Sequence, residues 1–211
     1  LAGHLYFSDR GTNRIYRSDF HGNNREELFN ADDFPASIPG PKRFRGLVAD
    51  PQRGFVFFCD STENMVLRGT IATREIVALV KVNQRFPADI TMDHAGGKIY
   101  WCNRTNNLIQ RADLDGSDVE DLVEAPSPYF LQLDLASSRI YFGDFSAGNI
   151  FRADLADGNN LETLVSGITG QVRGVHFDPS TEMLYWANRN DGKIQRRPVQ
   201  GTAEEIEDLY T

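Results

Sequence analysis

The sequence predicts an all-β fold, a β-propeller of four-stranded antiparallel blades, on three observations. Two aromatics, a small residue and Asp or Asn recur as Tyr6-Phe7-Ser8-Asp9, Phe57-Phe58-Cys59-Asp60, Tyr100-Trp101-Cys102-Asn103, Tyr141-Phe142-Gly143-Asp144 and Tyr185-Trp186-Ala187-Asn188, at steps of 51, 43, 41 and 44 residues. Eight residues after each Asp or Asn stands an arginine, Arg17, Arg68, Arg111, Arg152 or Arg196, itself two residues after Ile or Val. Within these segments the apolar period is 2, as in Val175 and Phe177 around His176, which is strand chemistry. Four short strands per unit of roughly 43 residues is the arithmetic of propeller blades that bury their faces on one another around a channel.

Each unit then reads in order. The innermost strand closes on an aspartate ten residues before the motif acid or amide, at Asp50, Asp93, Asp134 and Asp178; the first repeat has no counterpart. The motif is the second strand and the arginine segment the third. The fourth begins at Glu26-Glu27, Glu120-Asp121, Glu162-Thr163 and Glu207-Asp208. Helix-forming composition in 202–209 yields to the register, which places an outer strand there. The repeats run about 1–42, 43–85, 86–127, 128–170 and 171–211 in a single domain, with nineteen strands predicted and the first blade lacking its innermost one. That leaves a five-bladed ring with a gap, part of a six-bladed ring, or a chain that closes by pairing with another copy. The longest irregular stretch, Asn30 to Lys42 with Pro35, Pro39 and Pro41, is expected to cover part of the channel mouth.

The tetrapeptides, together with Gly-Leu-Val-Ala-Asp-Pro at 46–51 and Ile-Gln-Arg-Ala-Asp-Leu-Asp-Gly at 109–116, resemble the YWTD repeats of the low-density lipoprotein receptor family. The resemblance spans nearly the whole chain. It implies blades of a usually six-bladed propeller, aromatics wedged between blades, motif Asp or Asn residues tying adjacent blades together, and a ligand docked on one end over the channel. The chain departs from that pattern in having about five repeats and no cysteine-rich module after them. The resemblance suggests an extracellular protein, whereas two cysteines expected to be free thiols and the lack of a signal layout permit an intracellular one.

Composition narrows the function. Thirty acids against 22 bases, a net charge of −8, argue against nucleic-acid binding, and no run approaches the ~18 apolar residues of a membrane span. Eighteen of the bases are arginine, the residue that stacks on aromatics and pairs bidentately. Asp9, Asp60, Asn103, Asp144, Asn188 and the five spaced arginines recur in every unit and read as scaffold. Departures from the repeat are the better functional candidates. The second-to-third loops and the entries to the innermost strands emerge on one side, the top, and collect Arg10, Arg45, Arg104, Arg173 and Arg189 with Tyr129, Phe130 and Phe145. That face suits a protein or peptide with anionic groups.

Enzyme signatures are thin: there is no His-Glu-x-x-His, Gly-x-Ser-x-Gly, phosphate-binding glycine loop or Cys-x-x-Cys. A channel site built on Asp89, Gln132 and His176 is the alternative, as in propeller lactonases with an axial Ca²⁺. Calcium takes 6–8 oxygens, and Asp89 has Gly46, Phe130 and Gly174 as counterparts, so no cofactor is expected. A third reading is an assembly module that forms homo-oligomers through an open blade edge.

Overall fold

The computed structural model describes residues 3–36, 38, 40, 42–81, 86–169, 171–202 and 205–210. They form a five-bladed β-propeller of nineteen strands. Blade 1 has three strands, β1 (Leu5–Asp9), β2 (Arg14–Ser18) and β3 (Glu26–Asn30). Blade 2 comprises β4 (Phe44–Asp50), β5 (Phe55–Asp60), β6 (Met65–Thr70) and β7 (Ile76–Lys81), and blade 3 comprises β8 (Pro87–Asp93), β9 (Lys98–Asn103), β10 (Leu108–Asp113) and β11 (Glu120–Glu124). Blade 4 is β12 (Pro128–Asp134), β13 (Arg139–Asp144), β14 (Ile150–Asp154) and β15 (Glu162–Val165); blade 5 is β16 (Val172–Asp178), β17 (Met183–Asn188), β18 (Lys193–Pro198) and β19 (Glu207–Tyr210).

Turn chemistry sets the top of every blade. The second-to-third loops end on Asn13, Asn64, Asn107, Gly148 and Gly192, all at φ between 53° and 66°, a left-handed conformation that Gly adopts freely and Asn tolerates. The motif acids serve these same turns. Asp9 Oδ1 accepts from the N–H of Gly11 and Thr12, Asp60 Oδ1 from Thr62, Glu63 and Arg43, and Asp144 Oδ1 from Ser146. Asn103 donates to Gln110 and Asn188 to Asp191, again inside their own blades. Among the described residues Asp9, Asn103, Asp144 and Asn188 therefore bond inside their own blades and not across them as the resemblance implies, and only Asp60 also reaches the connection from blade 1, at Arg43 N–H. A short side chain at a strand end reaches the next few N–H groups of its own turn before it reaches another sheet.

The spaced arginines form rungs across three strands. Cross-strand register aligns Tyr6, Arg17 and Glu26; Tyr100, Arg111 and Glu120; Tyr141, Arg152 and Glu162; and Tyr185, Arg196 and Glu207. The four arginine–glutamate pairs lie at 2.6–2.9 Å. In blade 2 the rung reads Phe57, Arg68, Val77, so hydroxyl and carboxylate are lost together. Arg68 lies instead over the Phe55 ring at 4.6 Å, and its buried Nε has no acceptor.

Blade faces meet in four apolar clusters, one per junction, and the inner strands pack in sequence from β1 on β4 to β12 on β16. The second motif aromatics Phe58, Trp101, Phe142 and Trp186 are at most 2% exposed. Burying such a ring removes ~150–250 Å² from water, roughly 4–6 kcal/mol gross at ~25 cal/mol per Å². The 30–42 segment joins the first of these clusters rather than covering the channel. Asn30 caps a short 3-10 turn at Ala31–Asp33 by accepting from Asp32 N–H, Phe34 stacks on Phe44 at 5.6 Å, and Ile38 is buried with Phe58. Phe34 and Ile38 gain more from the wedge between blades 1 and 2 than from a wet channel mouth; Ser37, Pro39 and Pro41 lie outside the described residues.

The two ends of the blade series are uncovered. Ile15, Val66, Ile109 and Ile150 are 0% exposed, yet the equivalent Ile194 of blade 5 is 46% exposed, with Leu209 at 47% and Tyr210 at 66% beside it. On the opposite face of blade 1, Leu5 is 44% exposed where Val56, Ile99, Ile140 and Leu184 are at 0%.

Candidate functional site

The top-side connections are held by one recurring backbone bond. In blades 2 to 5 the residue after the motif donates to the residue just before the innermost strand: Ser61 to Arg43, Arg104 to Phe86, Phe145 to Ser127 and Arg189 to Gln171. These bonds bring the loop arginines and the strand entries into one ring. Near its centre is a cleft of about 510 Å³ lined by Arg10, Arg45, Tyr129, Phe130 and Arg173, with Tyr6, Phe7, Ser8 and Phe44–Leu47 on one wall and Ala88 on another.

Within the ring guanidiniums and aromatic rings alternate. Arg45 lies over Phe86 at 4.9 Å, and Arg104 over Phe145 at 3.7 Å, Phe86 at 5.4 Å and Tyr129 at 5.9 Å. Arg173 lies over Phe145 at 4.6 Å and Tyr129 at 4.9 Å. Tyr129 also takes an N–H of Arg45 on its hydroxyl at 3.0 Å; at 5% exposure it is a pillar under the arginines, while Phe130 and Phe145 are half-buried. Arg189 is exposed and shares Gln171 Oε1 with Arg173, so it stands beside the cleft without lining it.

Stacking uses the flat faces of these cations and leaves most of their N–H edges unspent, because a guanidinium carries five donors. Arg45 gives one to Ser61 and one to Tyr129, and Arg173 gives one to Gln171 while its buried Nε has no acceptor. Among the described residues no carboxylate lies within ion-pair distance of Arg10, Arg45, Arg104, Arg173 or Arg189, although eight other arginines have one. Burial lowers the pKa of Arg45; Tyr129 opposes this, and repulsion from Arg10, Arg43 and Arg173 adds to the lowering. The cleft is a positive site short of a counter-charge in a chain of net charge −8.

The proposed channel set does not assemble. Blades pack face to face, so inner-strand side chains point at neighbouring blades and only the strand edges face the axis. Gln132 bridges to blade 5, donating to Phe177 O at 3.0 Å and accepting from Phe177 N–H at 2.8 Å. His176 lies on the uncovered face of blade 5 beside Tyr185. Asp89 sits against Gly46 and accepts from Leu131 N–H, joining blades 2, 3 and 4. Burial pushes its carboxyl up to about 7, against the backbone N–H groups of Leu131 and Ile90 that favour the anion. The buried, unpaired thiols of Cys59 and Cys102 are raised by the same desolvation, with the Asp89 charge adding to it. No group of three or more His, Cys, Asp or Glu that could hold a metal ion occurs among the described residues.

Phe86 and Arg43 are the site residues that motif spacing misses. Both immediately precede an innermost strand, outside the repeat's ruler, and their signal is positional: each is the carbonyl partner of the residue after a motif.

Curated proteins similar to the chain carry the same kind of repeat. It is 24% identical over 177 residues to the low-density lipoprotein receptor-related protein 1 of Pyricularia oryzae (69% of this chain, 57% of that one), and 22% identical over 207 residues to the human low-density lipoprotein receptor-related protein 5-like protein (95% and 78%). The chain is a five-bladed β-propeller whose repeats are similar to those of these YWTD-type relatives. The Protein cueball of Drosophila grimshawi is 25% identical over 218 residues, 94% of this chain but 35% of that protein. The chain thus spans about a third of cueball and just over half of the fungal relative. No protein-family model matches it. Among solved structures a nidogen/laminin complex superposes with a TM-score of 0.83 at 20% identity, over 99% of this chain and 78% of that one. A streptogramin B lyase gives 0.74 at 17% identity, over 100% and 66%. At such identities these two likenesses speak for the fold alone.

Proposed function

We propose that the chain is a non-catalytic interaction module whose top cleft binds a protein segment by taking one of its carboxylates among Arg10, Arg45 and Arg173. The observation that carries this reading is the cluster of mutually repelling guanidiniums with a buried, acceptorless Arg173 Nε and no carboxylate beside it. A charge-assisted hydrogen bond in such a place contributes about 1.5–3 kcal/mol, and stacked rings hold the donors in position before the ligand arrives. Half-buried Phe130 and Phe145 offer apolar contact around the anion. The nidogen propeller, seen in complex with laminin, supports a protein rather than a small molecule as the occupant.

The test is a titration with the capped tripeptide acetyl-Phe-Asp-Phe-amide, followed at the arginine Nε–H resonances by ¹⁵N NMR. Saturable movement of the Arg173 resonance is expected, with at least tenfold weaker binding of the Asn analogue. Equal binding of both peptides, or no movement at millimolar peptide, overturns the proposal.

A further inference from the structure

We infer that the basic groove between blades 1 and 2 is a second subsite, in which Arg43 takes another acidic residue of the same partner segment. The inference rests on the central-cleft reading above. The groove has a volume of about 660 Å³ and is lined by Arg10, Gly11, Asn13, Lys42, Arg43 and Thr62, three cations and no carboxylate. Arg10 lines both this groove and the central cleft, so the two adjoin at that side chain.

The three cations differ in what they have left to give. Lys42 is 7% exposed, with its ammonium on Ile38 O at 2.8 Å and over the Phe34 ring, so it adds positive potential from beneath. Arg43 and Arg10 are exposed, and their side chains make no hydrogen bond or ion pair among the described residues. Arg43 is close enough to Arg45 to depress its pKa, which places its charge within electrostatic reach of the central cluster. A ligand spanning both clefts therefore meets positive charge along its whole path.

Two features favour a polypeptide over another polyanion. Asn13 Oδ1 is buried in the groove wall without a donor, an acceptor that a backbone N–H of an extended chain fills. The aromatic rings at the inner end suit an acidic segment that also carries apolar side chains, whereas a sulfated glycan would have no use for them.

Selection of random dodecapeptides on the immobilised chain, at 150 mM salt, separates the two subsites. Wild type should enrich peptides with two acids at a fixed spacing. Arg43→Glu should lose the preference at one position only, Arg173→Gln at the other, and Arg43→Gln should show an intermediate loss with an unchanged Tm. A heparin octasaccharide should compete at least tenfold less well than the best peptide. Enrichment of a single acid, unaffected by Arg43→Glu, overturns the second subsite but leaves the central cleft standing. No acidic preference at all overturns both, and stronger competition by heparin overturns the choice of a polypeptide.

Discussion

Asp89 makes folding stability fall as pH rises towards neutrality. Its carboxyl is raised from 3.8 to about 7 in the folded chain, so between those values the folded state keeps a proton that the unfolded state has released. The unfolded chain then binds fewer protons, and stability declines with pH through that window and is flat above it. At ~1.36 kcal/mol per pKa unit the whole effect is about 4 kcal/mol, and the part falling between pH 5 and pH 8 is roughly 2–3 kcal/mol. Asp89 is only partly buried, so solvent screening makes this a ceiling. Asp89→Asn keeps an acceptor for Leu131 N–H and cannot ionise, so it should gain about 2–3 kcal/mol on wild type between pH 5 and pH 8. Urea unfolding at four pH values, read by the fluorescence of buried Trp101 and Trp186, measures the difference directly. Other titrating groups cancel between the two proteins. A difference that stays constant to within about 0.5 kcal/mol across the range would refute the reasoning.

Two more substitutions probe the scaffold. Ile109→Ala should cost about 3 kcal/mol, because its side chain is fully buried at a junction, while the repeat-equivalent Ile194→Ala should cost under about 1 kcal/mol; equal costs in urea unfolding would mean that the blade 5 face is covered in solution. Val77→Glu should restore the missing rung on Arg68 and stabilise the fold by about 0.5 kcal/mol at low salt, an increment that 0.5 M NaCl removes; a loss above about 1 kcal/mol would show that Arg68 cannot leave Phe55.

The repeat was legible because its chemistry is periodic. Tyr, Arg and Glu at fixed offsets announce strands in register, and Asn13 or Gly192 after the motif announces a left-handed turn. The gathering of loop arginines with Tyr129 and Phe145 followed from strand direction alone. What eluded the sequence was which neighbour a side chain serves. Asp60 caps its own turn, Gln132 copies a peptide group to hold Phe177, and Phe34 and Ile38 drop into a junction, all choices made by distances across sheets. Arg43 carries no repeat signature, and only the folded ring brings it to Arg10.

Within residues 1–211, the exposed faces of blades 1 and 5 set a direction of fraying. In an array whose units touch only their neighbours, stability is a sum over junctions, and within residues 1–211 blade 5 shares one junction where blade 3 shares two. Blade 5, with Ile194 and Tyr210 open to solvent, should open well before blade 3, and its amide hydrogens should exchange first. Arg173, at the inner edge of that blade, then belongs both to the ligand cleft and to the loosest sheet. A ligand gripping Arg173 and Arg10 together would clasp the two ends of the arc, and its binding would be read as slower exchange in β17 and β18, far from any atom it touches.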